Sequence, residues 1–301
     1  MSHPPKPWLV LPLLLLLAAG GAAAQPLAYT KSTERVAIAG DEESVDVYRP
    51  ALRPSAGVAI VAHGFTRSRI RHRDLGRALA EAGVTAVIPD LPSVVDHWAN
   101  GEAILALAQE LETGRFATLA VERSHLVLIG TSAGGLATIL AAAKLPGLAG
   151  WIGLDPVDRT GSGADAAAEL SAPAVVLLGS ASTCNLFNSG REIARALSHP
   201  VRTMAMKGAS HCDFEDPTTN LCRVLCGGSS PEMKARIRDE TVRATLELLK
   251  LAAAGSGAAS RVDMPEVGPE VGPEVGDPAG PPEPDARPDV APATGPYDPD
   301  D

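Results

Sequence analysis

His125-Leu-Val-Leu-Ile129, then Gly130-Thr-Ser132-Ala-Gly134-Gly135, then the alanine-rich run from Ala133 to Leu145, is the stretch that decides the fold. The first five residues read as a short buried strand closed by Gly130, and the last thirteen as a helix. Between them a chain that leaves a strand and enters a helix at once must turn sharply. Glycines two residues either side of Ser132 remove the Cβ atoms that would obstruct that turn. The serine hydroxyl is thereby expected at the head of a helix, where the helix N-terminus favours developing negative charge. A Gly-x-Ser-x-Gly match alone is weak, because both residues are common in turns. Set between strand and helix it predicts a nucleophilic serine.

Working outward, the same alternation recurs. Strands are expected at Ser44–Tyr48, Gly57–Ala62, Val84–Ile88, Gly150–Leu154, Ala174–Leu178 and Val201–Met206. Helices are expected at Arg73–Ala82, Ala99–Glu112, Arg191–Leu197 and Pro231–Ala252, the last with Ser230 as N-cap and Pro231 in its first turn. Strands that are apolar throughout are those covered on both faces, so the fold class is α/β, a mainly parallel sheet flanked by helices. Ligands on such sheets bind at the carboxyl ends of the strands, and the residues just after each strand are the ones to read for chemistry.

A serine in this setting needs a base, with the acid between the two in chain order. Of the two histidines after Ser132, His199 precedes a strand, at the wrong end of the sheet, whereas His211 follows one. His211 is therefore the expected general base and acid. The strand ending at Leu178 is followed by no carboxylate before Cys184-Asn185, so the acid is assigned to the preceding strand end, Leu154-Asp155-Pro156. Asp155 is the expected partner of His211, with Asp158 as the alternative acid. Oxyanion donors are expected from the N–H of Ala133 and, in the loop His63-Gly64-Phe65-Thr66, from that of Phe65. His63 is read as a structural brace of that loop. Trp98 and Phe187, with Phe65, are candidate apolar walls for substrate.

The ends of the 301-residue chain have a different character. Residues 1–24 carry one charge, Lys6, an apolar run from Trp8 to Ala18 and Ala22-Ala-Ala24, which predicts a signal peptide cleaved near Ala24. The product is expected to be secreted or periplasmic, without a stable membrane anchor. Residues 25–252 form the expected folded domain, and residues 253–301, with Pro-Glu-Val-Gly repeated three times from Pro265, an expected disordered tail. From Arg261 onward stand eleven carboxylates and two arginines, so nearly all of the formal charge of −10 lies there. The folded part is close to neutral and has no basic patch, which gives no support for a nucleic-acid partner. Cys184, Cys212, Cys222 and Cys226 are expected to form two disulfides in an oxidising compartment, with three pairings open. Their spacing lacks the paired Cys-x-x-Cys knuckles of a structural zinc site, so no metal is expected. Nothing in the sequence reads on oligomeric state.

Gly130-Thr-Ser-Ala-Gly-Gly135, Leu154-Asp-Pro-Val-Asp158, His63-Gly-Phe65 and Ser210-His-Cys-Asp-Phe214 together resemble the chlorophyllase-like, dienelactone-hydrolase-related branch of the α/β-hydrolases, from about Ala28 to Leu251. Polyester hydrolases and platelet-activating-factor acetylhydrolases are similar in layout. In the latter the acid also follows the strand after the nucleophile, which supports Asp155. The resemblance implies an α/β-hydrolase fold that cleaves carboxylic esters, small-molecule or lipid-like, with no metal or organic cofactor. It does not imply chlorophyll, because plant-type enzymes have His and Arg where this chain has Thr131 and Ala133. The interval 156–173 is too short for a large lid domain, so an open site of broad specificity is expected. Two other functions suit the same scaffold, acyl transfer to an alcohol and a catalytically silent binding protein. The presence of serine, histidine and acid counts against the second.

Overall fold

The computed structural model describes residues 27–116 and 119–259. They form one eight-stranded sheet in the order β1-β2-β4-β3-β5-β6-β7-β8. The strands are β1 (Tyr29–Ile38), β2 (Asp41–Pro50), β3 (Val58–Ala62), β4 (Thr85–Pro89), β5 (Leu126–Thr131), β6 (Gly150–Leu154), β7 (Ala174–Leu178) and β8 (Pro200–Ala205). From β4 to β8 every neighbouring pair is parallel, while β2 joins β4 and β1 joins β2 in antiparallel pairs. Strands β3 to β7 are buried at every position.

That burial has two sides, which explains the unbroken apolar runs. Val58, Ile60 and Ala62 of β3, with Leu126 and Leu128 of β5, pack towards α2 (His97–Glu112) and α3 (Ala133–Ala143), in a layer continued by α4 (Ser162–Glu169) and α5 (Gly190–Ala196). The intervening Ala59, Val61, Val127 and Ile129 pack towards α1 (Arg73–Glu81) and α7 (Pro231–Ala259). With period two along each strand, both faces need apolar side chains, and the polar residues of β4 and β5, Thr85 and Thr131, stand at strand ends. Trp151 of β6 is fully buried and donates its indole N–H to Thr138 Oγ1 of α3 at 3.0 Å, which ties the central helix to the sheet.

Several elements depart from the sequence reading. Strand β1 was not expected. Only its last residue is buried, and its exposed positions include Lys31 and Arg35, charges of the kind that blunt a sheet edge. Helices α4 and α6 (Asn220–Cys226) are short and are held by side-chain caps and disulfides more than by an apolar stripe. Helix α7 begins as expected, with Ser230 Oγ accepting the Met233 N–H at 3.0 Å, but continues to Ala259, past the expected end at Ala252. Ala252 to Ala254 are strong helix formers, and extending a helix already anchored by packing needs no new nucleus. The expected signal peptide at residues 1–24, and the expected tail beyond Ala259, lie outside the described residues. No large insertion separates β6 from β7, where the described chain carries only α4 and its loops.

Candidate active site

Ser132 lies between β5 and α3 with φ 56° and ψ −124°, a backbone conformation that few non-glycine residues adopt. The neighbouring glycines show what permits it. A Cβ on Gly130 would fall 2.2 Å from the Gly134 carbonyl oxygen, and one on Gly134 would fall 2.3 Å from the His63 carbonyl oxygen. Two backbone segments thus approach closer than any side chain allows, one of them the His63 loop. The Ser132 N–H donates to the Leu154 carbonyl at 3.0 Å, which fastens the turn to the end of β6.

The serine hydroxyl is 2.9 Å from His211 Nε2, and His211 Nδ1 is 2.6 Å from Asp155 Oδ2. Because the Asp155 carboxylate only accepts, Nδ1 carries the ring proton and Nε2 is free to receive one from Ser132. Asp155 is fully buried at the end of β6, with φ 44°. Its Oδ1 accepts the Gly179 N–H at 2.8 Å, and the Asn185 amide donates to both carboxylate oxygens, at 3.1 and 3.3 Å. Asn185 was not foreseen as a site residue. It is fully buried, gives a further bond to the Ser180 carbonyl at 2.9 Å, and accepts the N–H groups of Ser182 and Asn188 on its own oxygen. No spacing rule identifies such a residue, since its contact with Asp155 depends on how the loop after β7 folds back.

Asp158, the alternative acid, is occupied elsewhere. Its two oxygens accept the N–H groups of Thr160, Gly161, Gly163 and Ala164 at 2.9–3.2 Å, so it caps the start of α4.

Phe65 and Ala133, the expected oxyanion donors, line one small recess together with His63, Gly64 and Thr66. His63 is buried, accepts the Leu91 N–H on Nε2 at 3.1 Å and donates from Nδ1 to the Gly64 carbonyl at 2.9 Å. Burial pushes its pKa below the ordinary histidine range, which suits a neutral brace of the loop. Phe65 is half exposed. Trp98 is also exposed but lines a different groove, beside Leu140, Lys144 and Glu169 of α2–α4 surroundings, and so stands apart from the Phe65–Ala133 recess. Phe187 is exposed on the loop that contains Asn185, with φ 53° and its N–H bonded to the Ser182 carbonyl at 2.7 Å. None of the three aromatics belongs to the core.

All four cysteines are bridged, Cys184 to Cys226 and Cys212 to Cys222. Cys184 adjoins Asn185, and Cys212 adjoins His211, so both bridges run from a loop of the site to α6. The sulfurs of Cys212, Cys222 and Cys226 lie close together, but as disulfides they offer no thiolate to a metal ion.

No family model and no curated protein matches the sequence. Among solved structures, the chain is similar to dienelactone hydrolase from Anabaena variabilis, with a TM-score of 0.56 and 15% identity over 71% of this chain and 96% of that one. A likeness at that level of identity speaks to architecture, and it agrees with the sheet order and the helix layers above: the chain has the α/β-hydrolase fold.

Proposed function

We propose that the protein is an exported serine hydrolase that cleaves carboxylic esters through an acyl-enzyme. The observation that carries this reading is the continuous hydrogen-bonded chain from Ser132 through His211 to Asp155, at 2.9 and 2.6 Å, on a strained turn at the head of α3. Ser132 Oγ attacks the ester carbonyl carbon while His211 Nε2 takes its proton. The imidazolium so formed is stabilised by Asp155, which Gly179 and Asn185 hold in place. The carbonyl oxygen becomes an oxyanion and is met by the N–H groups of Ala133 and Phe65, each such donor typically giving about 3 kcal/mol in the transition state. Collapse of the tetrahedral species breaks the bond to the alcohol oxygen, which leaves with the proton from His211. Water, deprotonated in turn by His211, then hydrolyses the acyl-enzyme.

Export is supported by two disulfides in a chain whose first 24 residues read as a signal peptide. No helix among the described residues is long and apolar enough to cross a membrane. With only α4 between β6 and β7, no large lid domain stands there, which favours a site of broad specificity.

The test is reaction with a fluorophosphonate probe, peptide mapping by mass, and turnover of short p-nitrophenyl esters. Stoichiometric modification at Ser132 with loss of turnover is expected. A folded protein that neither labels nor turns over would instead be a binding protein on a hydrolase scaffold.

A further inference from the structure

The steps above leave one buried ion pair beside the site without a role. Glu215 lies four residues after His211 in the same loop and is 5% exposed. Both of its carboxylate oxygens accept the Arg67 Nε–H, each at 3.0 Å. Arg67 belongs to the loop that follows β3, directly after Gly64-Phe65-Thr66, so the pair bridges the loop of the base and the loop of the expected oxyanion donor. Burial raises the pKa of Glu215, and the Arg67 guanidinium opposes that rise. Pairs of this kind add little net stability, because desolvating two charges offsets most of their attraction. Their placement therefore calls for another explanation.

Packing supplies one. A Cβ on Gly64 would lie 3.1 Å from Ser132 Cβ and 3.6 Å from Glu215 Oε1, so the Gly64 backbone is confined between the nucleophile and the Glu215 carboxylate. The rest of the segment has few other anchors. Thr66 has φ 56°, the Phe65 side chain is half exposed, and the bonds within the segment are local: His63 Nδ1 and the Arg67 N–H donate to the Gly64 carbonyl at 2.9 and 3.2 Å, Thr66 Oγ1 donates to the Phe65 carbonyl at 2.7 Å, and Arg67 Nη1 donates to Thr66 Oγ1 at 3.4 Å. An N–H donor in a transition-state site must be held to within about 0.5 Å to be useful.

We propose that Glu215 and Arg67 are positioning residues: their ion pair locks the Gly64–Thr66 segment against the His211 loop and so fixes the Phe65 N–H as an oxyanion donor opposite that of Ala133. The inference rests on the serine-hydrolase reading. Because the oxyanion exists only after attack, loosening one donor removes transition-state binding and leaves substrate binding nearly unchanged.

The experiment is steady-state kinetics with p-nitrophenyl butyrate on the full chain, wild type, Glu215→Gln, Arg67→Met, the double variant and Arg67→Lys, with a thermal melt of each. A loss in kcat of about 30- to 100-fold is expected for each single variant, with KM within about threefold of wild type. The double variant is expected to be no worse than the poorer single one, since either change breaks the same pair. Arg67→Lys, which keeps the charge but not the guanidinium geometry, is expected to recover part of the loss. If Glu215→Gln does not fold, the two Arg67 variants carry the test through the same split between kcat and KM. An unchanged kcat in folded variants, additive losses, or a rise in KM with kcat intact would each overturn the proposal. Active wild type with unaffected variants removes the clamp alone, whereas an inert, unlabelled wild type removes the hydrolase reading and the clamp with it.

Discussion

Asp155 and Asp158 are three residues apart and chemically identical, and the backbone gives them different work. Asp155 ends β6 with φ 44°, which turns its carboxylate towards His211 and the start of the β7 loop, while Asp158 faces four N–H groups at the head of α4. Asp155→Asn is expected to lower kcat by about 10⁴-fold, because an amide can present N–H to Nδ1 and select the wrong tautomer of His211. Asp158→Asn is expected to lower kcat less than tenfold and to lose about 1 kcal/mol of stability, the size of a helix-cap effect. Kinetics and urea unfolding of the two variants check this, and a larger kcat loss at Asp158 would reverse the assignment. Asn185→Ala is expected to fall between them, with kcat reduced about 10- to 100-fold, since it removes one of the two donor groups that hold the Asp155 carboxylate in addition to His211. That loss should persist at saturating substrate, because Asn185 is buried and acts through Asp155.

At the scale of elements, α6 has a place that its seven residues would not suggest. It carries Cys222 and Cys226, whose bridges reach Cys212 beside His211 and Cys184 beside Asn185, so one short helix fastens the His211 loop and the Asn185 loop that holds Asp155. The bridges close loops of 10 and 42 residues. Loop-closure entropy then assigns about 3 kcal/mol to Cys212–Cys222 and about 4 kcal/mol to Cys184–Cys226. Paired serine replacements at each bridge are expected to lower the melting temperature in that order, the longer loop by more, and both to reduce turnover at temperatures where the protein stays folded. Equal turnover without either bridge would show that the site loops hold themselves. The pairing was not legible in the sequence, nor were α4 and α6, because their ends are fixed by Asp158, by Thr219 and by cysteines brought together only by folding. Strand β1 escaped for a related reason: an exposed edge strand has no apolar face to display. The strands from β3 to β7 were legible because both faces are buried, and so were the positions of Ser132, His211 and Asp155, because each follows directly on a strand or its loop at the carboxyl edge of the sheet. Asn185 was not, since its role is defined by a partner 30 residues away. Trp98 shows the same limit, an aromatic whose type suggested a wall of the site and whose place on α2 turns it towards another groove.

For the whole molecule, the response to acid is governed by histidines buried in their neutral form. His72 is 1% exposed, and its Nε2 has no hydrogen-bond partner among the described residues. It borders a small cavity lined by Leu75, Leu154 and Phe214 and by charges of both signs, Asp213 and Asp216 with Lys234 and Arg238, and burial, with the neighbouring His63, pushes its pKa down to about 3. Burial lowers that of His63 in the same direction. Between about pH 3 and the ordinary value of 6.5, the unfolded chain therefore binds more protons at these positions than the folded one, and stability rises with pH across that window. At one such site the slope is about 1.4 kcal/mol per pH unit, which makes the protein about 2 kcal/mol less stable at pH 5 than at neutrality through His72 alone. Asp46 adds to the acid sensitivity. Although burial works to raise its pKa, bonds from Lys31, Thr33 and Arg69 lower it overall, so its contribution is present above the unfolded value and is lost as pH falls through the folded one. Glu215 acts the other way, because burial raises its pKa, and the stability it contributes is present in acid and lost as pH rises through its folded value. Urea unfolding at pH 5, 6, 7 and 8 for wild type and His72→Gln isolates the His72 contribution. The wild type is expected to gain stability from pH 5 to pH 7, and the variant to show a slope smaller by about 1 kcal/mol per pH unit over that range, whatever its absolute stability. An identical slope in the two proteins would mean that His72 takes up its proton in the folded state, and the acid sensitivity between pH 5 and 7 would then rest with His63.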